Sequence, residues 1–190
     1  MALPGEIIEN PATGERIEFL ETRETTGGAF LQFELTLAPY GRVGGLPHQH
    51  PAEEIVDVLE GTMTCSYRRG RREIGPGERV VLPPRLDHYL FNATPAPVRA
   101  RVTATPALDF ETFFETVFAL ATKRQFITFR GLPTPLHAAL LSYTYEIYGP
   151  LVPIRLQRAL LAPLAALAER RGYPARLDAE SVATASADAV

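Results

Sequence analysis

Cysteine and tryptophan are scarce in this chain, and the scarcity of cysteine excludes a fold held together by disulfides within the chain. The 190 residues include a single cysteine, Cys65, and no tryptophan. One cysteine cannot form a disulfide within the chain, so the sequence does not require an oxidising compartment. Because Cys65 alternates with the polar residues Thr64 and Ser66, we interpret it as a small buried hydrophobic residue.

Long apolar runs and an excess of positive charge are also missing. The longest apolar run, Ala159–Ala168, is about half of a membrane span and contains Pro163. Residues 1–10 lack the basic segment and apolar run of a secretory signal. The formal net charge is −3, whereas nucleic-acid binding normally requires a clustered basic surface. We therefore expect a cytoplasmic protein with no nucleic-acid partner and no membrane contact.

Short segments with an apolar residue at every second position fill roughly the first 105 residues. The clearest is Ala29–Ala38, where apolar and polar side chains alternate, a pattern typical of a strand with one buried face. The other strand candidates are Arg16–Leu20, Ile55–Leu59, Thr62–Tyr67, Arg79–Leu82, His88–Asn92 and Val98–Thr105. Many short strands at this spacing predict a mainly β sandwich or barrel over residues 1–106.

The pattern changes to helical periodicity after Pro106, and we expect a helical extension over residues 107–174. Asp109 can cap a first helix whose apolar face contains Phe110, Phe113, Phe114, Val117, Phe118 and Ala121. A second helix is expected from Leu136 to Gly149-Pro150, and a third over Pro153–Arg171, kinked or restarted at Pro163. The extension should pack on the barrel or on a partner subunit, and residues 175–190 are predicted to be a disordered tail.

Three of the four histidines lie where they can act together. His48 and His50 are separated by one residue, so both imidazoles would share one face of a strand. Glu54 follows closely, and His88 opens a later strand candidate. Imidazoles with a nearby carboxylate form a ready shell for a divalent transition metal. The alternative is that His48 and His50 are exposed loop residues, while His137, at a helix start without a companion, is interpreted as a surface or capping histidine.

The spacing of these residues resembles the two sequence motifs of the cupin superfamily. The first motif is matched by His48-Gln49-His50, Glu54 and Gly61, and the second by Gly77, Pro83, His88 and Asn92. The resemblance extends to bacterial cupin-domain proteins with helical extensions. It implies a mainly β, cupin-type double-sheet barrel, jelly-roll-like, followed by a C-terminal α-helical extension. It also implies that His48, His50, Glu54 and His88 are the metal ligands.

Two positions depart from the cupin motifs. Arg85 stands where the second motif has a glycine inside it, and Arg42 stands at the glycine upstream of His48. Both positions fall in expected turns, so the departures bear on local backbone shape rather than on metal ligation.

Three histidines and one carboxylate leave open coordination positions on an octahedral metal. We expect one divalent transition metal per chain, with Fe or Mn favoured and Zn, Ni, Co or Cu also compatible. The favoured function is an oxygenase acting on a small organic molecule. By analogy with cupin oxygenases, Glu54 would leave the metal transiently and serve as the catalytic proton acceptor.

Other functions of the same shell stay open. The alternatives are a non-redox isomerase or lyase, a non-catalytic sensor or carrier of a small ligand, and a purely structural metal. By resemblance to cupins, we expect a homodimer.

Overall fold

The computed structural model describes residues 2–44, 46–67, 70–122 and 132–177. This part of the chain contains nine strands and three helices. The strands are β1 (Ile7–Asn10), β2 (Glu15–Glu21), β3 (Leu31–Leu37), β4 (Glu53–Glu60), β5 (Met63–Tyr67), β6 (Gly70–Ile74), β7 (Arg79–Leu82), β8 (His88–Phe91) and β9 (Val98–Thr105). The helices are α1 (Phe110–Thr122), α2 (Pro135–Tyr145) and α3 (Ile154–Arg170).

The strands form two antiparallel sheets that share one core. The larger sheet has the order β1-β2-β3-β9-β4-β7, and the smaller has the order β6-β5-β8. Side chains from both sheets, such as Phe19 and Val56 from the larger and Met63 and Leu90 from the smaller, belong to one buried cluster. The chain is thus mainly β with a C-terminal helical extension, as predicted. The named strands make two separate sheets rather than one closed barrel.

The alternation of apolar residues explains which strand faces are buried. Leu31, Phe33, Leu35 and Leu37 of β3 are all buried, while the residues between them are half-buried. Removing one face from water while leaving the other wet stabilises an antiparallel sheet at this register. Cys65 on β5 is fully buried, which confirms its interpretation as a hydrophobic core residue. Burial raises the pKa of its thiol to about 11.

Two strands, β1 and β6, were not predicted from the sequence. β1 has only four residues, and β6 contains Arg71, Arg72 and Glu73, which are exposed. Both are edge strands of their sheets. Short length and exposed charge are typical of edge strands and erase the alternating pattern.

The helices follow the predicted order, with corrections at two places. α2 ends at Tyr145 rather than at Gly149, because Glu146 adopts a left-handed φ of 54° that stops the helix. α3 continues through Pro163 without restarting. Ala165 and Ala168 of α3 pack against Leu140 of α2.

His137 is not a surface residue, contrary to the expectation. Its side chain is fully buried, its Nε2 lies 2.7 Å from the carbonyl oxygen of Pro174, and its ring meets that of Tyr173 edge-on. It is part of the packing of the extension, which brings the segment after α3 back onto α2. Burial lowers its pKa.

The outer side of α3 presents exposed leucines. These are Leu156, Leu160, Leu164 and Leu167. In the described residues, no helix has the length and apolar character needed to cross a membrane. The predicted tail falls mostly on residues 178–190, which lie outside the described residues.

Candidate metal centre

His48 and His88 are placed side by side by backbone hydrogen bonds. The His48 amide donates to the His88 carbonyl at 3.0 Å, and the His88 amide donates to the His48 carbonyl at 2.9 Å. His88 is the first residue of β8, and β8 also pairs with β5. Residues directly opposite each other in an antiparallel pair project to the same side. The two imidazoles therefore meet, with ring centroids 4.7 Å apart.

His50 joins this pair from two residues along the chain. Its carbonyl accepts a hydrogen bond from the Arg85 amide at 2.8 Å, which fixes the backbone beside β8. Its ring centroid lies 4.9 Å from that of His88 and 5.7 Å from that of His48. One ring nitrogen from each of the three histidines lies within 4.8 Å of the other two. The predicted convergence of the three imidazoles is confirmed, although the segment carrying His48 and His50 is held by single bridges rather than by a strand.

Glu54 reaches the same place from the larger sheet. It pairs with Leu82 of β7 and Ala104 of β9, and the alternation along β4 turns it inward while Glu53 faces outward. Its Oε1 is 3.3 Å from Nε2 of His50, and its Oε2 is 3.6 Å from Nε2 of His88. The structure thus brings all four predicted ligand residues together, two from the loop before β4, one from β4 and one from β8.

The ring orientations suit nitrogen donors that face one another. Nδ1 of His48 lies 2.9 Å from the Leu46 carbonyl oxygen, and Nδ1 of His88 lies 2.8 Å from the Leu86 carbonyl oxygen. A carbonyl acceptor holds the hydrogen on Nδ1 and leaves Nε2 as the free donor. Among the described residues, both ring nitrogens of His50 are buried without a hydrogen-bond partner, an arrangement that a protein tolerates where an additional group completes the site.

Electrostatics keep these side chains in the protonation states that a metal requires. Burial, followed by repulsion from His88 and His50, lowers the pKa of His48 to about 4. Burial also lowers the pKa of His88. Burial alone would raise the pKa of Glu54, but attraction to His50, and to His88 and His48, holds it at about 2. Metal ligands must be deprotonated, so the lowered pKa values of His48, His88 and Glu54 all suit a divalent cation.

The two motif departures have different outcomes. Arg85 has a φ of 63°, the left-handed conformation that glycine adopts readily. Its side chain compensates by pairing with Glu146, just after α2, at 3.2 Å. Arg42 donates its amide to the Thr13 carbonyl at 3.0 Å and bridges to Phe91, so the backbone is ordinary there.

A cavity of about 200 Å³ opens beside the three imidazoles. Its floor includes His48, His50 and Glu54, and its walls come largely from the extension, with Phe110, Phe113, Phe114 and Phe118 of α1 and Ala138, Leu141 and Ser142 of α2. Backbone bonds of 2.8 and 3.0 Å between Gln49 and Tyr148 tie the histidine segment to the chain after α2. Sequence reasoning treated the extension as an appendage and missed this role. The available signal was an apolar face on α1 unusually rich in phenylalanine.

Glu15 is a second carboxyl group in the cavity wall that the sequence did not reveal. It lies on β2, is buried, and accepts hydrogen bonds from the Thr13 hydroxyl at 2.5 Å and the Gly44 amide at 3.3 Å. Burial raises its pKa to about 7 despite these bonds and the attraction of Arg42.

Residues 33–104 match the cupin domain family. No curated protein matches the chain.

Several solved structures resemble parts of the chain. A sugar phosphate isomerase of a cupin superfamily from Silicibacter pomeroyi is 25% identical, with a TM-score of 0.45, over 51% of this chain and 63% of that one. An RmlC-like cupin from Shewanella frigidimarina is 18% identical, with a TM-score of 0.49, over 56% of this chain and 88% of that one. A polyketide cyclase from Streptomyces resistomycificus is 22% identical, with a TM-score of 0.46, over 55% of this chain and 78% of that one. At this level of similarity none of them assigns an activity to the chain.

Proposed function

Because residues 33–104 are a cupin domain, we propose that the chain is a metal-dependent enzyme acting on a small organic molecule. In this proposal His48, His50, Glu54 and His88 hold one divalent transition metal. The observation that carries the proposal is that three imidazoles and an ionised carboxylate converge at the wall of an apolar cavity. Burying ionisable groups together costs folding free energy, so a cluster of this kind is typical of a functional site.

The chain's own residues prepare the site for a metal. The Leu46 and Leu86 carbonyl groups orient His48 and His88, so little reorganisation is needed when a cation enters. When bound, a divalent metal with open positions supplies Lewis-acid or redox chemistry. Fe or Mn is the metal that the proposed oxygenase reaction favours, because it is redox-active, and three nitrogen donors with one carboxylate are also compatible with Zn, Ni, Co and Cu.

The helical extension supplies the rest of the enzyme. The α1 phenylalanines cover the cavity and exclude water from the side of the imidazoles, which strengthens electrostatic interactions there. Glu54 lies against Nε2 of His50 and His88 and lines the cavity, so its carboxylate is within reach of a bound substrate as a proton acceptor. Both features suit chemistry in which a reactive species must be shielded from water.

We propose oxygenase activity as the specific reaction. The test is an oxygen-electrode screen of protein reconstituted anaerobically with Fe or Mn, using small organic molecules and analysis of the products. Substrate-dependent oxygen uptake, absent in His88→Ala, is the expected result. Ligand binding without any product would contradict an enzyme and indicate a sensor or carrier.

One observation favours a second reaction class. Glu54 lines the cavity, so a carboxylate lies where a non-redox isomerase or lyase needs a proton acceptor. Product formation without oxygen uptake in the same screen would select that class. The homodimer and the cytoplasmic location stay predictions from the sequence; light scattering and fractionation measure them.

A further inference from the structure

Four phenylalanines of α1 form one wall of the cavity beside the imidazoles. Phe110 lies edge-on to His50, with ring centroids 5.0 Å apart, so the first ring of α1 touches the metal-ligand cluster directly. Phe114 continues the wall, 6.3 Å from Phe110 and 5.4 Å from Phe33 of β3. Rings in such edge-on and tilted contacts hold one another in place. The wall is therefore a fixed surface rather than a set of loose side chains.

The charges around the cavity disfavour an anionic or polyhydroxylated guest. None of the described residues that line the cavity is a lysine or an arginine, whereas two of them, Glu15 and Glu54, are acidic. A phosphate or free carboxylate placed away from the imidazoles would find no cation and two acidic groups. Apart from the ligand cluster, the polar side chains of the described lining are Glu15, Ser142 and Tyr148, which offer few partners for a sugar's hydroxyl groups.

The volume sets the size of the guest. An apolar cavity of about 150 Å³ in another protein binds benzene, and this cavity measures about 200 Å³. One ring with a short polar substituent fits this space.

We infer that the substrate has an apolar body about the size of a single ring and one oxygen-bearing head that reaches the imidazoles. The inference rests on the proposed function, since the head is placed at the metal. It goes further in making the α1 and α2 extension the part of the chain that selects the substrate. The body is recognised by the rings and the head by the ligand cluster.

The first experiment tests the apolar compartment without any metal. Toluene is titrated into the metal-free full chain and followed by NMR. We expect saturable binding that shifts resonances of α1 residues. Ser142→Phe places a ring into the cavity from α2 and should abolish binding. The matched control Thr144→Phe, two residues along α2 and outside the cavity lining, should leave it unchanged.

The Ser142→Phe variant must be folded for its result to count, which circular dichroism shows. If Ser142→Phe does not fold, Ala138→Leu takes its place. Its side chain intrudes less at the same wall and should weaken toluene binding by about 10-fold. Unchanged binding in folded Ser142→Phe and Ala138→Leu, or no toluene binding by the parent chain, overturns the inference.

The second experiment compares two ligands with the same metal-binding head. Benzohydroxamate and acetohydroxamate are titrated into protein reconstituted with Fe or Mn. Because the phenyl ring would bury more apolar area than the methyl group, we expect benzohydroxamate to bind about 30-fold tighter. Phe114→Ala should reduce this preference, and Phe91→Ala, a half-buried phenylalanine of β8 outside the cavity, should keep it.

The two experiments separate the inference from the proposed function. Toluene binding without any metal uptake would sink the metal-dependent function while supporting the aromatic compartment. Equal affinity for the two hydroxamates on metal-loaded protein would leave the metal site standing and overturn the substrate class.

Discussion

At the scale of single residues, Glu54 is the carboxylate that bridges the histidine cluster. Its two oxygens lie 3.3 and 3.6 Å from Nε2 of His50 and His88. Removing a ligand should weaken metal binding by more than the roughly 100-fold upper cost of losing an outer-shell partner. We therefore predict that Glu54→Gln lowers the affinity for Mn(II) by at least about 100-fold, measured by competition with a chromophoric chelator.

The neighbouring glutamate provides a matched control for this measurement. Glu53 lies on the same strand, is half-buried and faces the opposite side of the sheet. Glu53→Gln removes the same charge at nearly the same position, and it should keep the parent affinity. Equal loss of affinity in both variants would show that Glu54 acts only through the net charge.

Glu15 gives the folded chain a pH-dependent cost. Its pKa rises from 4.5 to about 7 on folding, so between these values the native state binds more protons than the unfolded state. The free energy of unfolding must then fall as the pH rises from 4.5 to 7. We predict that Glu15→Gln stabilises the metal-free protein, relative to the parent, by up to about 3 kcal/mol more at pH 8 than at pH 4.5.

Urea unfolding of both proteins at the two pH values measures this difference. Comparing the variant with the parent removes the opposing contributions of Glu54 and His48, whose lowered pKa values destabilise the native state as the pH falls below their unfolded values. A difference that does not depend on pH would contradict burial as the cause.

At the scale of the elements, two motif glycines turn the chain for different reasons. Gly61, between β4 and β5, has a φ of 76°, and a Cβ atom there would lie 2.5 Å from the Pro97 carbonyl oxygen. Gly77 has a φ of 81°, but a Cβ atom would meet nothing within 4 Å. Only Gly61 therefore needs both the left-handed backbone and the missing side chain.

The pair yields a direct comparison by substitution. Gly77→Ala should cost about 1–2 kcal/mol of unfolding free energy, the price of the left-handed conformation. Gly61→Ala adds a backbone clash and should cost about 2 kcal/mol more. Chemical denaturation of both variants measures the costs, and equal values would contradict the role assigned to the close approach at Pro97.

The elements were predictable where burial produces a period in the sequence. The sequence showed such a period in β3, which is buried on one face, and in α1, which carries the phenylalanines. The edge strands β1 and β6 did not, since β1 has only four residues and four of the five residues of β6 are exposed. The end of α2 was misplaced because its left-handed residue is Glu146, whereas a glycine at that position would have marked the helix end in the sequence.

At the scale of the whole molecule, the ligand cluster was predictable and its surroundings were not. The resemblance to the two cupin motifs pointed to His48, His50, Glu54 and His88, whose residue types are those that bind metals. The cavity depends on α1 and α2 folding back over the sheets, and such long-range packing leaves no local pattern. Glu15 and His137 were missed for the same reason: only tertiary contacts bury them.

The proposed metal centre joins all of these parts. His48 and His50 precede β4, Glu54 lies in the larger sheet, His88 in the smaller, and the bonds between Gln49 and Tyr148 attach the extension. A metal that binds only the folded chain should raise its stability as its concentration rises. Metal content is therefore the property on which the whole account depends.

The most direct test is elemental analysis of the untagged full chain and three variants. We predict about one Fe or Mn ion per chain in the parent, its loss in His48→Ala and His88→Ala, and its retention in His137→Gln, which alters a buried histidine outside the site. No metal in the parent after anaerobic reconstitution with each candidate ion, or undiminished metal in both alanine variants, would contradict the central claim.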